Sequence, residues 1–135
     1  IDASPYAIGR ATARGAAVLE RSLFDELPGE GRWPCVLLFD GNIGIGGDPV
    51  ALLTRARQLL SPDGVMIVEV EPPGGTTATL THVRLELDGE RSEWFPWAWV
   101  AADDLDAIAA EAGVRRRRWR RIAGRWFAEL EAVPG

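Results

Sequence analysis

The apolar positions of this chain follow two rhythms. From Cys35 to Phe39, and again from Val65 to Val70, they are almost unbroken, the pattern of parallel strands buried on both faces. Between these runs Val50, Leu53, Ala56 and Leu60 recur at spacings of three and four, which predicts a helix with one apolar stripe. Asp48 and Pro49 read as its N-cap and first helical residue, and Ser61-Pro62-Asp63-Gly64 as the turn after it. Strand, helix, strand at this separation is a parallel βαβ unit with a right-handed crossover. The spacing therefore predicts an open α/β sheet.

Upstream, Ser4 and Pro5 open a helix over about residues 5 to 14, and Gly15 is its left-handed terminator. Ile1-Asp2 look like the last two residues of a strand, Ala17 to Leu19 predict a short one, and residues 21–34 read as a loop punctuated by Pro28, Gly29, Gly31 and Pro34. Downstream, Thr79 to Leu87 alternates, Asp88-Gly89 is a hairpin turn, and Arg91 to Val100 returns with Trp94, Phe95, Trp97 and Trp99. This predicts an inserted hairpin over about residues 79–100. Asp103 caps a helix carrying Leu105, Ile108 and Ala109 and closed by Gly113, and Val114 to Ile122 and Arg125 to Ala132 flank Ala123-Gly124 as a terminal antiparallel hairpin.

With 135 residues, 47% of them hydrophobic, the chain buries one core and hardly two, so residues 1–135 are expected to be a single domain. A net charge of −5 does not favour broad binding to nucleic acid or anionic lipid. Cys35 is the one cysteine, which excludes an internal disulfide or a thiolate metal cluster, and no metal site is expected. No apolar stretch approaches the roughly 20 residues of a membrane span, and no secretory signal opens the chain. A cytoplasmic protein is the expectation. The run Arg115 to Arg121 lies on a strand whose side chains alternate faces, so it reads as a solvated strand paired with nearby acids. Gly44-Ile45-Gly46-Gly47 lacks the lysine and hydroxyl residue of a Walker motif. His82, the sole histidine, reads as a surface residue of the hairpin.

Ile1-Asp2-Ala3-Ser4-Pro5, Leu23-Phe24-Asp25-Glu26-Leu27-Pro28, Asp40-Gly41-Asn42 and Leu59-Leu60-Ser61-Pro62-Asp63-Gly64 together resemble, in order and spacing, the class I S-adenosylmethionine-dependent methyltransferases. The resemblance covers nearly the whole chain apart from the inserted hairpin. It implies a Rossmann-like sheet, mostly parallel with an antiparallel C-terminal hairpin, and a partial domain beginning at the family's second strand, without its first strand and first glycine-rich loop. It implies S-adenosylmethionine as cofactor and a small molecule as methyl acceptor. In the family an acid ending the second strand binds the ribose hydroxyls, which falls here on Asp2. Ser22 stands where the family often has an acid facing the adenine amino group, a departure that leaves adenine to neighbouring backbone such as that of Leu23. Asp40, Gly41 and Asn42 would line the methionine end of the cofactor and the methyl path.

Open α/β sheets bind ligands beyond the carboxyl ends of their strands, where Asp2, Ser22 and Asp40 are expected. A carboxylate can accept from two ribose hydroxyls at once, although Asp2 could equally cap a helix. Methyl transfer needs donor and acceptor in line more than a strong base. Asp40 is the candidate to orient or deprotonate the acceptor, with Glu69 and Glu71 as further carboxylates. Trp94 and Trp97, with Phe95 and Trp99, supply either acceptor walls, core or a self-association face. Two function classes stay open, a methylating enzyme and a non-catalytic binding or assembly module of the same fold. The chain alone is expected to bind the cofactor weakly or not at all, and an exposed sheet edge to pair it with another copy.

Overall fold

The structure, a computed structural model, describes residues 1–134. At its centre is the expected βαβ unit, in which β1 (Trp33–Leu38) and β2 (Leu60–Val70) pair in parallel across α2 (Pro49–Leu59). The Asp48 side chain accepts from Ala51 N–H at 3.0 Å and Pro49 fills the first turn, so the cap forms as its sequence implies. The buried stripe of α2 is Leu52, Leu53, Ala56 and Leu59, while Val50 is half-buried. Leu60 has left the helix: at φ −69° and ψ 142° it begins β2. Leu60 pairs with Trp33 and Val65 with Cys35, so Ser61 to Gly64 loop out as an irregularity in the ladder.

β7 (Val114–Ile122) and β8 (Arg125–Ala132) form the terminal hairpin around Ala123 and Gly124, whose φ angles are +50° and +81°. The sheet runs β1-β2-β8-β7, with β1 and β2 parallel and the other two pairs antiparallel. It is the α/β sheet closed by an antiparallel hairpin that the sequence predicts. α2 and α3 (Leu105–Glu111) pack on one face, where Val36, Leu38, Met66, Val68, Ala128 and Leu130 join Leu52, Leu53, Leu59 and Leu105 in one buried cluster.

Burial of Cys35 to Phe39 on both faces is not what the fold provides. Successive side chains of a strand point to opposite faces, so Val36 and Leu38 enter the core while Cys35 is exposed and Leu37 is 54% exposed on the far side. Residues 17–19 form no strand; an isolated parallel bridge joins Asp2 to Glu20, with Asp2 N–H on Leu19 O at 3.1 Å and Arg21 N–H on Asp2 O at 3.0 Å. α1 (Pro5–Ala13) is capped by Ser4 as expected but contributes no residue to the core. Arg55 of α2 fastens the following loop by donating to Leu23 O at 3.0 Å and Asp25 O at 2.6 Å and by pairing with Glu30. That guanidinium lowers the Glu30 carboxyl from 4.5 to about 2.

Asp103 does not cap α3. Its side chain accepts from Gly74 N–H at 2.6 Å, and Asp104 takes the N-cap position without a side-chain bond. The expected hairpin is present but interrupted. β3 (Ala78–Val83) pairs with β6 (Phe95–Trp99), and β4 (Glu86–Leu87) with β5 (Glu90–Arg91) around Asp88-Gly89 at φ +52° and +83°.

One-sided burial predicts unequal mutational costs. Leu52→Ala, in a fully buried position, should lower the unfolding free energy by about 2–5 kcal/mol. Leu37→Ala, on the open face, should change it by only about 0.5 kcal/mol. Urea unfolding followed by tryptophan fluorescence measures both.

Candidate functional site

The carboxyl ends of β1 and β2 and the tip of the β7–β8 hairpin meet along one rim of the sheet. After β1 the chain reverses through two left-handed residues, Asp40 at φ +54° and Gly41 at φ +77°, into a 3-10 segment, Asn42–Gly47, that is kinked at Ile45 and Gly46. Glycine adopts that conformation freely and aspartate tolerates it better than most residues. Gly44 has a different task. A Cβ there would fall on the Ala98 carbonyl oxygen and 2.6 Å from the Trp97 indole nitrogen, so its missing side chain lets β6 lie against the segment.

Arg125, the first residue of β8, ties the rim together. It donates to Glu69 through Nε at 2.6 Å and Nη2 at 2.5 Å, and Nη2 also reaches Asp40 Oδ1 at 2.7 Å. Glu69 Oε2 in turn accepts from the Asp40 backbone N–H at 2.7 Å. The Arg125 hydrogen bond, helped by that amide, holds the Glu69 carboxyl below its ordinary value despite the opposing effect of burial, and Arg125 is raised in return.

Two cavities flank this turn. The larger, of about 550 Å³, is bordered by Asp2, Ser22, Leu23, Leu37, Asn42 and Trp97 among others. One Asp2 oxygen accepts from Ser4 N–H at 2.8 Å and the other has no partner among the described residues. The Ser22 hydroxyl is engaged with Phe24 N–H at 3.2 Å, and Leu23 O with Arg55. The smaller cavity, of about 220 Å³, is bordered by Gly41, Glu69, Glu71, Trp99, Arg125 and Trp126 among others. Gly41 thus faces one cavity and its neighbour Asn42 the other.

Of the residues singled out in the sequence, the structure brings Asp2, Ser22, Leu23, Asn42 and Trp97 to one cavity. It places Gly41 on the other and Asp40 on the rim between them, its side chain 83% exposed and joined to Arg125. Trp94 lies away from both cavities, 60% exposed, with Arg84 over its ring at 5.0 Å. His82 is exposed. The arginine run is solvated and paired as expected: Arg115 with Glu131, Arg116 with Asp106, and Arg118 with Glu129 at 2.7 Å. Arg125 as a cavity residue escaped the sequence reading, whereas Trp99, one of the aromatic residues expected to supply acceptor walls, core or a self-association face, borders the smaller cavity. The one signal for Arg125 was its place directly after the Ala123-Gly124 turn, which aims it back at β2. Among the described residues no helix is long and apolar enough to cross a membrane, and no group of three or more His, Cys, Asp or Glu could hold a metal.

Substitution of Arg125 should weaken a pH effect. With a lowered carboxyl, Glu69 contributes stability that is present above 4.5 and lost as pH falls through its folded value. In Arg125→Met, burial alone remains as the larger influence, so Glu69 should titrate above its wild-type position and that acid-side loss should shrink. Carboxyl NMR titration of Glu69 and urea unfolding between about pH 3 and 6 check this.

No protein-family profile matches the sequence, and no curated protein matches it. Solved structures do. A methyltransferase from Bacteroides fragilis, in complex with S-adenosyl-L-homocysteine, superimposes with a TM-score of 0.73 at 20% identity over 97% of this chain and 61% of that one. The 1,6-didemethyltoxoflavin-N1-methyltransferase of Burkholderia thailandensis, with its substrate and S-adenosylhomocysteine, gives 0.62 at 16% identity over 96% and 57%. An O-methyltransferase of neocarzinostatin biosynthesis, bound to S-adenosyl-L-homocysteine and 1,4-dihydroxy-2-naphthoic acid, gives 0.64 at 21% identity over 94% and 38%. The chain therefore has the class I methyltransferase fold, and it spans about three fifths of the length of the first of these structures.

Proposed function

We propose that this chain is the cofactor-binding part of an S-adenosylmethionine-dependent methyltransferase acting on a small-molecule acceptor. The observation that carries this reading is the Asp2 carboxylate. It stands at a 550 Å³ cavity with one oxygen unpartnered, beside Ser22, Leu23 and Asn42. The free oxygen and the remaining lone pairs of its partner suit two adjacent ribose hydroxyls. In this reading Ser22 and Leu23 border the adenine, while Asp40, Gly41 and Asn42 edge the methionine end. The cofactor, when bound, supplies a methyl group on a sulfonium.

What the chain contributes is position. The turn at Asp40 to Asn42 is locked by Arg125 and Glu69, so it presents a fixed edge between the two cavities, and such fixing is the main need of an in-line displacement. In this reading Asp40, whose Oδ1 accepts from Arg125 at 2.7 Å, acts by orienting the acceptor. Trp97, packed on Gly44, walls the cofactor cavity in this reading, and Trp94 takes no part. A small-molecule acceptor accords with the substrates named for the Burkholderia and neocarzinostatin enzymes.

Calorimetric titration of S-adenosylhomocysteine tests the reading, on this chain and on the full product of its reading frame. Binding that drops at least about tenfold in Asp2→Ala supports it. Binding indifferent to Asp2, or none to either form, overturns it.

The second reading, a non-catalytic assembly module, has one observation in its favour. β1 pairs only with β2 among the described residues, and Cys35 and Leu37 lie exposed beside that free edge. It predicts concentration-dependent self-association in sedimentation equilibrium that Leu37→Lys abolishes. A monomer at all concentrations removes it.

A further inference from the structure

The 220 Å³ cavity carries chemistry that the cofactor reading does not use. Glu71 follows β2 directly and is fixed through its backbone, with Glu71 N–H on Val100 O at 2.9 Å and Ala102 N–H on Glu71 O at 3.0 Å. Glu71 borders the cavity, and its exposed side chain makes no hydrogen bond or ion pair among the described residues. The cavity's one cation, Arg125, is already matched by both Glu69 and Asp40. Those two carboxylates already outnumber the one guanidinium, and Glu71 adds a third without any partner, so the rim is net negative. Two indoles border it beside Ile43 and Val70: Trp99, 37% exposed, and Trp126, whose ring is held edge-on by Trp119 at 5.7 Å and 80°.

We propose that this cavity is the acceptor subsite and that it selects a small flat molecule bearing an ammonium group, with Glu71 as the specificity-determining residue. Its volume lies below the roughly 300 Å³ of the smallest drug-sized sites, so it takes a ring and its substituent rather than a large ligand. Indole rings attract cations, and an anionic group would meet Glu69 and Glu71 at the cavity, with Asp40 beside it on the rim, against the one guanidinium of Arg125. The word acceptor rests on the methyl-transfer reading. The preference for an ammonium group does not, because it follows from the cavity's own charge.

The test uses the 135-residue chain and three probes of one shape, benzylammonium, benzyl alcohol and benzoate, followed through the tryptophan indole N–H signals. Benzylammonium should shift the Trp99 and Trp126 signals and bind at least about tenfold more tightly than benzoate. The preference should fall as salt is raised, because Glu71 is exposed and the attraction is screened. Glu71→Gln should reduce the preference severalfold while leaving benzyl alcohol unchanged, and Trp99→Leu should weaken all three. Benzoate binding as tightly as benzylammonium overturns the proposal, as does a preference undiminished by Glu71→Gln or shifts confined to other tryptophans. S-adenosylhomocysteine is absent from this titration, so its outcome is independent of the Asp2 experiment.

Discussion

Everything else in this molecule depends on the contact between one face of the β1-β2-β8-β7 sheet and the two helices α2 and α3. Leu52, Leu53, Leu59 and Leu105 meet Val36, Leu38, Met66, Val68, Ala128 and Leu130 with almost no exposure. Each fully buried side chain of this kind contributes roughly 1.5–3 kcal/mol, more than an exposed ion pair, worth at most about 1 kcal/mol. The parallel pairing of β1 and β2 needs a crossover helix, α2 supplies it, and the apolar stripe of α2 decides which face is buried. The carboxyl ends of both strands then share one rim, which is where ligands of open α/β sheets are met.

The polar structure of that rim is built from groups far apart in sequence. Arg125 reaches Glu69 and Asp40 from the opposite end of the chain. Its value lies less in stability than in geometry, because it holds the strand-ending turn with both Asp40 backbone and side chain engaged. Gly44 acts in the same direction from the other side by admitting β6. The two cavities are separated by a turn whose backbone and side chain are both hydrogen-bonded.

The fold is shared with methyltransferases at a level of identity where only architecture can be compared. Function must be argued from the site, since one fold hosts many activities. Here the site offers a free carboxylate oxygen on Asp2 and a second free carboxylate on Glu71, on opposite sides of one locked turn. That division suits a reaction in which a donor and an acceptor approach from two sides.

The sequence by itself determined the elements whose signals are local. The Asp48-Pro49 cap, the βαβ spacing, the Asp88-Gly89 turn and the terminal hairpin around Ala123-Gly124 all follow from short-range sterics and periodicity. The family resemblance, rather than any local pattern, grouped Asp2, Ser22, Leu23 and Asn42, which border one cavity in the structure. What depends on contacts between distant segments was decided only by tertiary structure. An apolar run such as Cys35 to Phe39 reads alike whether one face or two are covered, so the exposure of Leu37 was not legible. Asp103 fits a cap motif, yet Gly74 competes for its carboxylate from 29 residues away. No local pattern marks Arg125 as the partner of Asp40, 85 residues distant, because charge pairing between remote segments exists only once the chain has closed on itself.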